Sequence, residues 1–276
     1  WTVPNSFVAS ANCAKLIGGK VDFVDINPTT FNIDLFHLEK KLKLAKKKKK
    51  LPKILVPVHF AGQPPNQDGI YKLAKKYKFK ILEDASHALG SEYKGEKVGS
   101  CKWSDATVFS FHPVKTITSA EGGMVTTNIK DVQIKMQMFK NSGITKNKKF
   151  FTKKNSAGWY YEQQYLGLNY RMNEISAALG LSQLKKVRMF VKKRNKIAKL
   201  YKKKLNLKNL ILPTVNKNCF SSYHLFVIRI NDKNYKQKQL KLFNFLRKRK
   251  ILVNVHYLPI HLQPYYRKMG FKKGDF

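Results

Sequence analysis

The sequence predicts an α/β fold: a mostly parallel sheet flanked by helices, followed by a smaller α+β unit. Three observations carry this. Short β-branched runs alternate with helical stretches through the first half. A long proline-free helical stretch follows from about residue 172. The chain then closes on a strand, helix, strand pattern.

The elements follow in order. Residues 21–26 (VDFVDI) read as a strand, and residues 53–60 (KILVPVHF) as a second. Ile70, Leu73, Ala74 and Tyr77 fall at i, i+3, i+4 and i+7, which is a helix with one apolar stripe. Residues 79–82 (FKIL), 106–111 (ATVFSF) and 123–127 (GMVTT) supply further strands. Strand–helix–strand units predict parallel pairing with outer helices. Residues 172–205 read as one long helix bridging to the second unit. Beyond Pro213, strands at 225–230 and 251–255 bracket a helix over about 235–250. The expected division is 1–205 for the large domain and 206–276 for the small one.

Composition narrows the function classes. Lys+Arg is 55 against 16 for Asp+Glu, a formal charge of +39. That field suits a phosphorylated substrate or nucleic acid. Only seven of the basic residues are Arg, the better fork for phosphates and base edges. The lysines are scattered, with one dense run at 46–50, so lysine-favouring codon usage explains the charge more simply than a nucleic-acid-binding role. Cys13, Cys101 and Cys219 are distant and lack CxxC spacing, which argues against disulfides or a zinc site and fits a cytoplasmic setting. No run of about 18 apolar residues is present to cross a membrane.

In parallel sheets, ligands sit beyond the carboxyl ends of the strands. Glu83, Asp84 and His87 follow one apolar run, and Ser110, His112 and Lys115 follow another. This set meets the demands of pyridoxal 5'-phosphate (PLP). That cofactor needs a lysine for the Schiff base, a carboxylate at the pyridine nitrogen, small donors for the phosphate and a flat group against the ring. Lys115 lies among apolar and small residues, where desolvation favours the free amine. Taken singly, each residue has a plainer reading. Lys115 could be a surface lysine, Asp84 a helix cap or turn residue, and His87 a structural histidine on the same helical face as Asp84.

Together the segments resemble the DegT/DnrJ-type sugar aminotransferases, a fold-type-I PLP family. The matching pieces are residues 4–12 (PNSFVASAN), 83–90 (EDASHALG), 109–115 (FSFHPVK), 120–123 (AEGG) and 166–172 (LGLNYRM). They occur in family order over nearly the whole chain. The resemblance implies that Lys115 forms the Schiff base and shuttles a proton, and that Asp84 partners the pyridine nitrogen. It implies that Ser110 binds the phosphate, Phe7 packs on the ring and His87 lies beside the cofactor. Asn169 matches a residue that reaches the phosphate of a neighbouring subunit, so the resemblance implies a homodimer with a shared active site. Some relatives are dehydratases with histidine in place of the lysine. The lysine at position 115 favours transamination.

Residues 159–164 (WYYEQQ) and 255–266 (VHYLPIHLQPYY) resemble a narrower subgroup of the family. That subgroup uses L-glutamate to aminate C4 of a UDP-linked 4-keto-6-deoxy-N-acetyl sugar in pseudaminic acid biosynthesis. On this basis His256, Tyr257 and His261 are candidate substrate contacts, although polar residues after a strand also commonly cap or pack. Another nucleotide-linked keto sugar is the alternative substrate. Family members carry a further N-terminal stretch with a phosphate-binding turn, so the expectation is of a fragment lacking that segment and part of the small domain. An inactive fragment that keeps the motifs by descent stays open at this stage.

Overall fold

The computed structural model describes residues 1–154 and 156–276. A four-stranded sheet runs in the order Ile54–Leu55, Lys80–Asp84, Ala106–Ser110, Gly123–Thr126. The first two pairings are parallel, with Leu55 opposite Ile81 and Asp84 opposite Val108. The last is antiparallel, with Ser110 opposite Gly123. The sheet is therefore mixed, and Asp84 and Ser110 end their strands on one edge.

The helices of the first half form where caps and apolar spacing agree. Asp34 accepts the His37 amide at 3.0 Å and opens Leu35–Lys47, which buries Leu38, Leu42 and Ala45. Asn66 accepts the Gly69 amide at 3.1 Å and opens Gln67–Tyr77, which buries Ile70, Ala74 and Tyr77. Both stripes pack with Leu55, Val58, Phe79 and Ile81 in one core. A second core joins Ala85, Ala88, Phe109, Phe111 and Ile117 under the loop that carries Lys115. A third joins Ala11 and Phe23 to Ile260 and Tyr266, tying the end of the chain to its beginning.

Three expectations are corrected. Residues 21–26 form no strand, only single bridges from Phe23 to Thr2 and from Ile26 to Ile33. The Asp22 and Asp25 carboxylates take the amides of Phe23 and Ile26 at 2.8 and 2.7 Å, competing with a ladder. The single helix over 172–205 is two, Glu174–Leu184 and Val187–Lys204. The second does not span free space. A side chain at Gly90 would meet Val191 at 2.9 Å and Val187 at 3.0 Å, so the helix lies directly on the turn after His87. In the last third Arg229–Ile230 pairs with Leu210–Ile211 and Cys219–Phe220 with Glu92–Tyr93, while residues 251–255 find no ladder. Strand propensity is expressed only where a neighbouring edge is available.

Candidate active site

The carboxyl edge of the sheet gathers most of the residues singled out above. Asp84 ends its strand with both oxygens engaged. Ser10 Oγ donates to Oδ2 at 2.6 Å. Ser86 donates to Oδ1 through Oγ at 2.6 Å and through its amide at 3.1 Å. Ser10 is linked to Ser6 by a 2.8 Å hydroxyl contact, so a relay of serines leads from Asp84 towards Phe7. Phe7 is 62% exposed, an apolar side chain at the surface.

Lys115 sits on a tightly tied loop. The Phe111 amide donates to Gly122 O at 2.8 Å, and the Ser119 amide and Thr118 hydroxyl both donate to Phe111 O. Thr116, Ile117 and Ser119 are buried beneath. Burial lowers the Lys115 pKa below the ordinary lysine value, and the charge of Asp84 opposes that shift. The two side chains therefore lie within electrostatic reach of each other. Ser110 ends the strand before this loop and accepts the His112 amide at 3.4 Å.

Four aromatic groups complete the wall. His87 Nε2 lies 3.3 Å from the Tyr257 hydroxyl. The His87 and His224 rings lie 4.3 Å apart. Burial holds His87 at about 3 and His224 at about 2, and the positive Lys115 pushes both further down. His256 is lowered for the same two reasons. Burial pushes Tyr257 up to about 12, with Asp84 adding to it. All four are thus neutral near pH 7.

The structure brings Lys115, Asp84, His87, His256 and Tyr257 together, with Ser110 and Phe7 on the segments that border them. Asn169 lies elsewhere, exposed in a loop whose backbone bonds to residues 139–142. His261 is buried between Phe23 and Phe276 in the third core, and its neighbouring charges are Asp275 and Asp25. Ser10 and His224 escaped the sequence reading. Ser10 is 74 residues from Asp84, and no local pattern links them. Ser86 had a signal, since an Asp commonly binds the amide two residues on.

These residues fit PLP. A desolvated amine and a carboxylate held by hydroxyls converge at one sheet edge, with the exposed Phe7 on the segment that carries Ser6 and Ser10, the groups that cofactor requires. Among the described residues no helix is long and apolar enough to cross a membrane.

Comparison with known proteins agrees with the chemistry. Residues 2–276 match the model of the DegT/DnrJ/EryC1/StrS aminotransferase family. The chain is 40% identical over 272 residues to a Campylobacter jejuni UDP-4-amino-4,6-dideoxy-N-acetyl-beta-L-altrosamine transaminase, covering 97% of this chain and 67% of that protein. It superposes on Helicobacter pylori PseC, an aminotransferase involved in the biosynthesis of pseudoaminic acid, with a TM-score of 0.86. The identity there is 37%, covering 97% of this chain and 67% of that one. A Streptococcus pneumoniae sugar aminotransferase solved in its PLP form matches with a TM-score of 0.83 at 28% identity, covering 98% and 69%. This chain, which spans about two-thirds of these relatives' length, belongs to the DegT/DnrJ/EryC1/StrS family of PLP-dependent sugar aminotransferases.

Proposed function

We propose that the protein moves an amino group from L-glutamate to C4 of a UDP-linked 4-keto-6-deoxy-N-acetyl sugar, yielding UDP-4-amino-4,6-dideoxy-N-acetyl-β-L-altrosamine for pseudaminic acid. The observation that carries the reading is the Lys115 amine, desolvated and within electrostatic reach of Asp84 on the carboxyl edge of the sheet. The relatives named above support the choice of sugar.

When bound, PLP supplies an electron sink for the carbon that gives up or receives the amino group. Lys115 Nζ would tether it and would carry the proton to and from that carbon. Asp84 holds the pyridine N–H, kept in place by Ser10 and Ser86. Ser110 binds the phosphate and Phe7 covers the ring. His256 and Tyr257 face the sugar, and the histidines around Lys115 are neutral near pH 7.

The working unit is a cytoplasmic homodimer. The helix Glu174–Leu184 is apolar yet buries no residue, with Ile175 85% and Leu181 64% exposed. Leu166, Leu168 and Tyr170 are exposed beside Asn169. Exposed apolar side chains of this kind suit a second copy, with Asn169 delivered to its phosphate.

Absorbance tests the first part. Added PLP gives a visible band that Lys115→Ala abolishes, and a full-length protein with no band refutes the assignment. Turnover on UDP-, GDP- and dTDP-linked keto sugars tests the second. A second reading, another nucleotide-linked keto sugar, is favoured by the 31% identity to an Escherichia coli GDP-perosamine synthase. Equal use of all three nucleotides would support it over the UDP sugar.

A further inference from the structure

Nothing in the reaction above uses His224, yet the fold takes trouble to place it. Arg194 Nη1 donates to the carbonyls of Tyr223 and His224, each at 3.2 Å. Asn195 Nδ2 donates to Ser221 O at 3.0 Å. Both donors stand on the helix Val187–Lys204. From the other side, the Ser222 hydroxyl donates to His87 O at 2.9 Å and its amide to Ser91 Oγ at 3.0 Å. A side chain on Gly62 would meet Ser222 Oγ at 2.5 Å and the His224 amide at 3.0 Å, so the segment presses directly on that turn. Tyr223 accepts a φ of 46° to make the approach, a conformation unfavourable for a residue with a side chain.

The result is one ring laid on another. The His224 and His87 centroids are 4.3 Å apart with the planes tilted by 35°. The Nδ1 atoms of both rings are buried and have no hydrogen-bond partner among the described residues. Among the described residues no hydrogen bond joins the two rings themselves, so they meet through ring contact. His87 Nε2 is occupied from the other direction by the Tyr257 hydroxyl at 3.3 Å. Both rings are neutral, because burial beside Lys115 disfavours their protonation, and neutral rings approach without charge repulsion.

We propose that His224 is a positioning residue for the aminotransferase site: its ring sets the plane of the His87 ring, and thereby the wall that His87 presents beside Lys115. The proposal rests on the reading of Lys115 as the cofactor lysine. It assigns the stretch at 221–224 a purpose that neither the sheet nor the cores require.

The test compares His224→Phe with His224→Leu in the full-length enzyme loaded with PLP. Phenylalanine keeps a flat ring and removes the nitrogens, while leucine keeps apolar volume and removes the plane. Two quantities are read: the pH midpoint of the visible band, and kcat against KM for glutamate. His224→Leu is expected to displace the midpoint and lower kcat about tenfold to a hundredfold, with KM within about threefold, the pattern of lost orientation. His224→Phe is expected to keep the wild-type midpoint, with kcat within about twofold. Wild-type behaviour in both variants overturns the proposal, and so does equal damage in both. If the leucine variant does not fold, a displaced midpoint in His224→Phe overturns it alone. A wild-type enzyme without a visible band refutes the Lys115 reading and this proposal with it. A normal wild-type band with unmoved variants refutes only the role of His224.

Discussion

Lys115, half-buried, and His87, buried, are both bases whose surroundings bias them in the same direction for different ends. Desolvation lowers the Lys115 pKa, although Asp84 pulls the other way. A larger fraction of free amine is then present near neutrality than on a solvated lysine. The visible band formed on adding PLP should grow in with a pH midpoint below the ordinary lysine value of 10.5, and stopped-flow absorbance across pH checks this. For His87 the consequence is in stability. Its folded-state value of about 3 lies below the ordinary 6.5. Between those values the unfolded chain binds a proton that the folded chain refuses. Stability is therefore fully present above pH 6.5 and falls as the pH drops towards 3, by up to about 1.4 kcal/mol per pH unit. His224 adds to the same fall. Urea unfolding between pH 6.5 and 4 should show a slope that His87→Gln makes shallower. Asp84 adds a different lesson at this scale. Its tie to Ser86 is local and readable from spacing, whereas its tie to Ser10 comes from a distant helix.

The strand Lys80–Asp84 shows how an element serves a site from behind. Asp84 faces the cluster, while Glu83, on the opposite face, is buried. Its carboxylate accepts from Thr107 Oγ1 at 2.7 Å, from Ser104 Oγ at 3.1 Å and from Gln67 Nε2, with His59 Nε2 3.5 Å away. These partners hold its pKa below the usual value despite burial. The group thus clamps the strand to its neighbour and to the helix Gln67–Tyr77. Removing it orphans several buried partners at once, so Glu83→Ala should cost about 3 kcal/mol, measured as a lower urea midpoint. Glu83→Gln, which keeps part of the hydrogen bonding, should cost less. The helix stripes packed on this strand are legible in the sequence because Ile70, Ala74 and Tyr77 need only the helical period. The short pairings of the last third are not legible, because a strand there depends on whether an edge comes alongside.

At the scale of the whole molecule, the exposed apolar side chains of the helix Glu174–Leu184 carry the proposed assembly. Ile175→Asp together with Leu181→Asp should turn the proposed dimer into monomers in sedimentation and remove transaminase activity, since on that proposal Asn169 would no longer reach its neighbour. A dimer that survives both changes would place the interface elsewhere. The +39 charge belongs to this scale too. It is spread over the chain, so its effect is a general positive field that favours an anionic nucleotide sugar and weakens with salt.

The sequence by itself determined the α/β class and the family, and it singled out Lys115 and Asp84, because these depend on local periodicity and on short motifs. Only the tertiary structure decided that Ser10 supports Asp84, that His224 lies on His87, that the helical stretch 172–205 breaks in two and that His261 belongs to a core. Each of these is a contact between segments far apart in the chain. Such contacts are set by which surfaces meet when the cores close, and that leaves no periodic trace in the order of the residues.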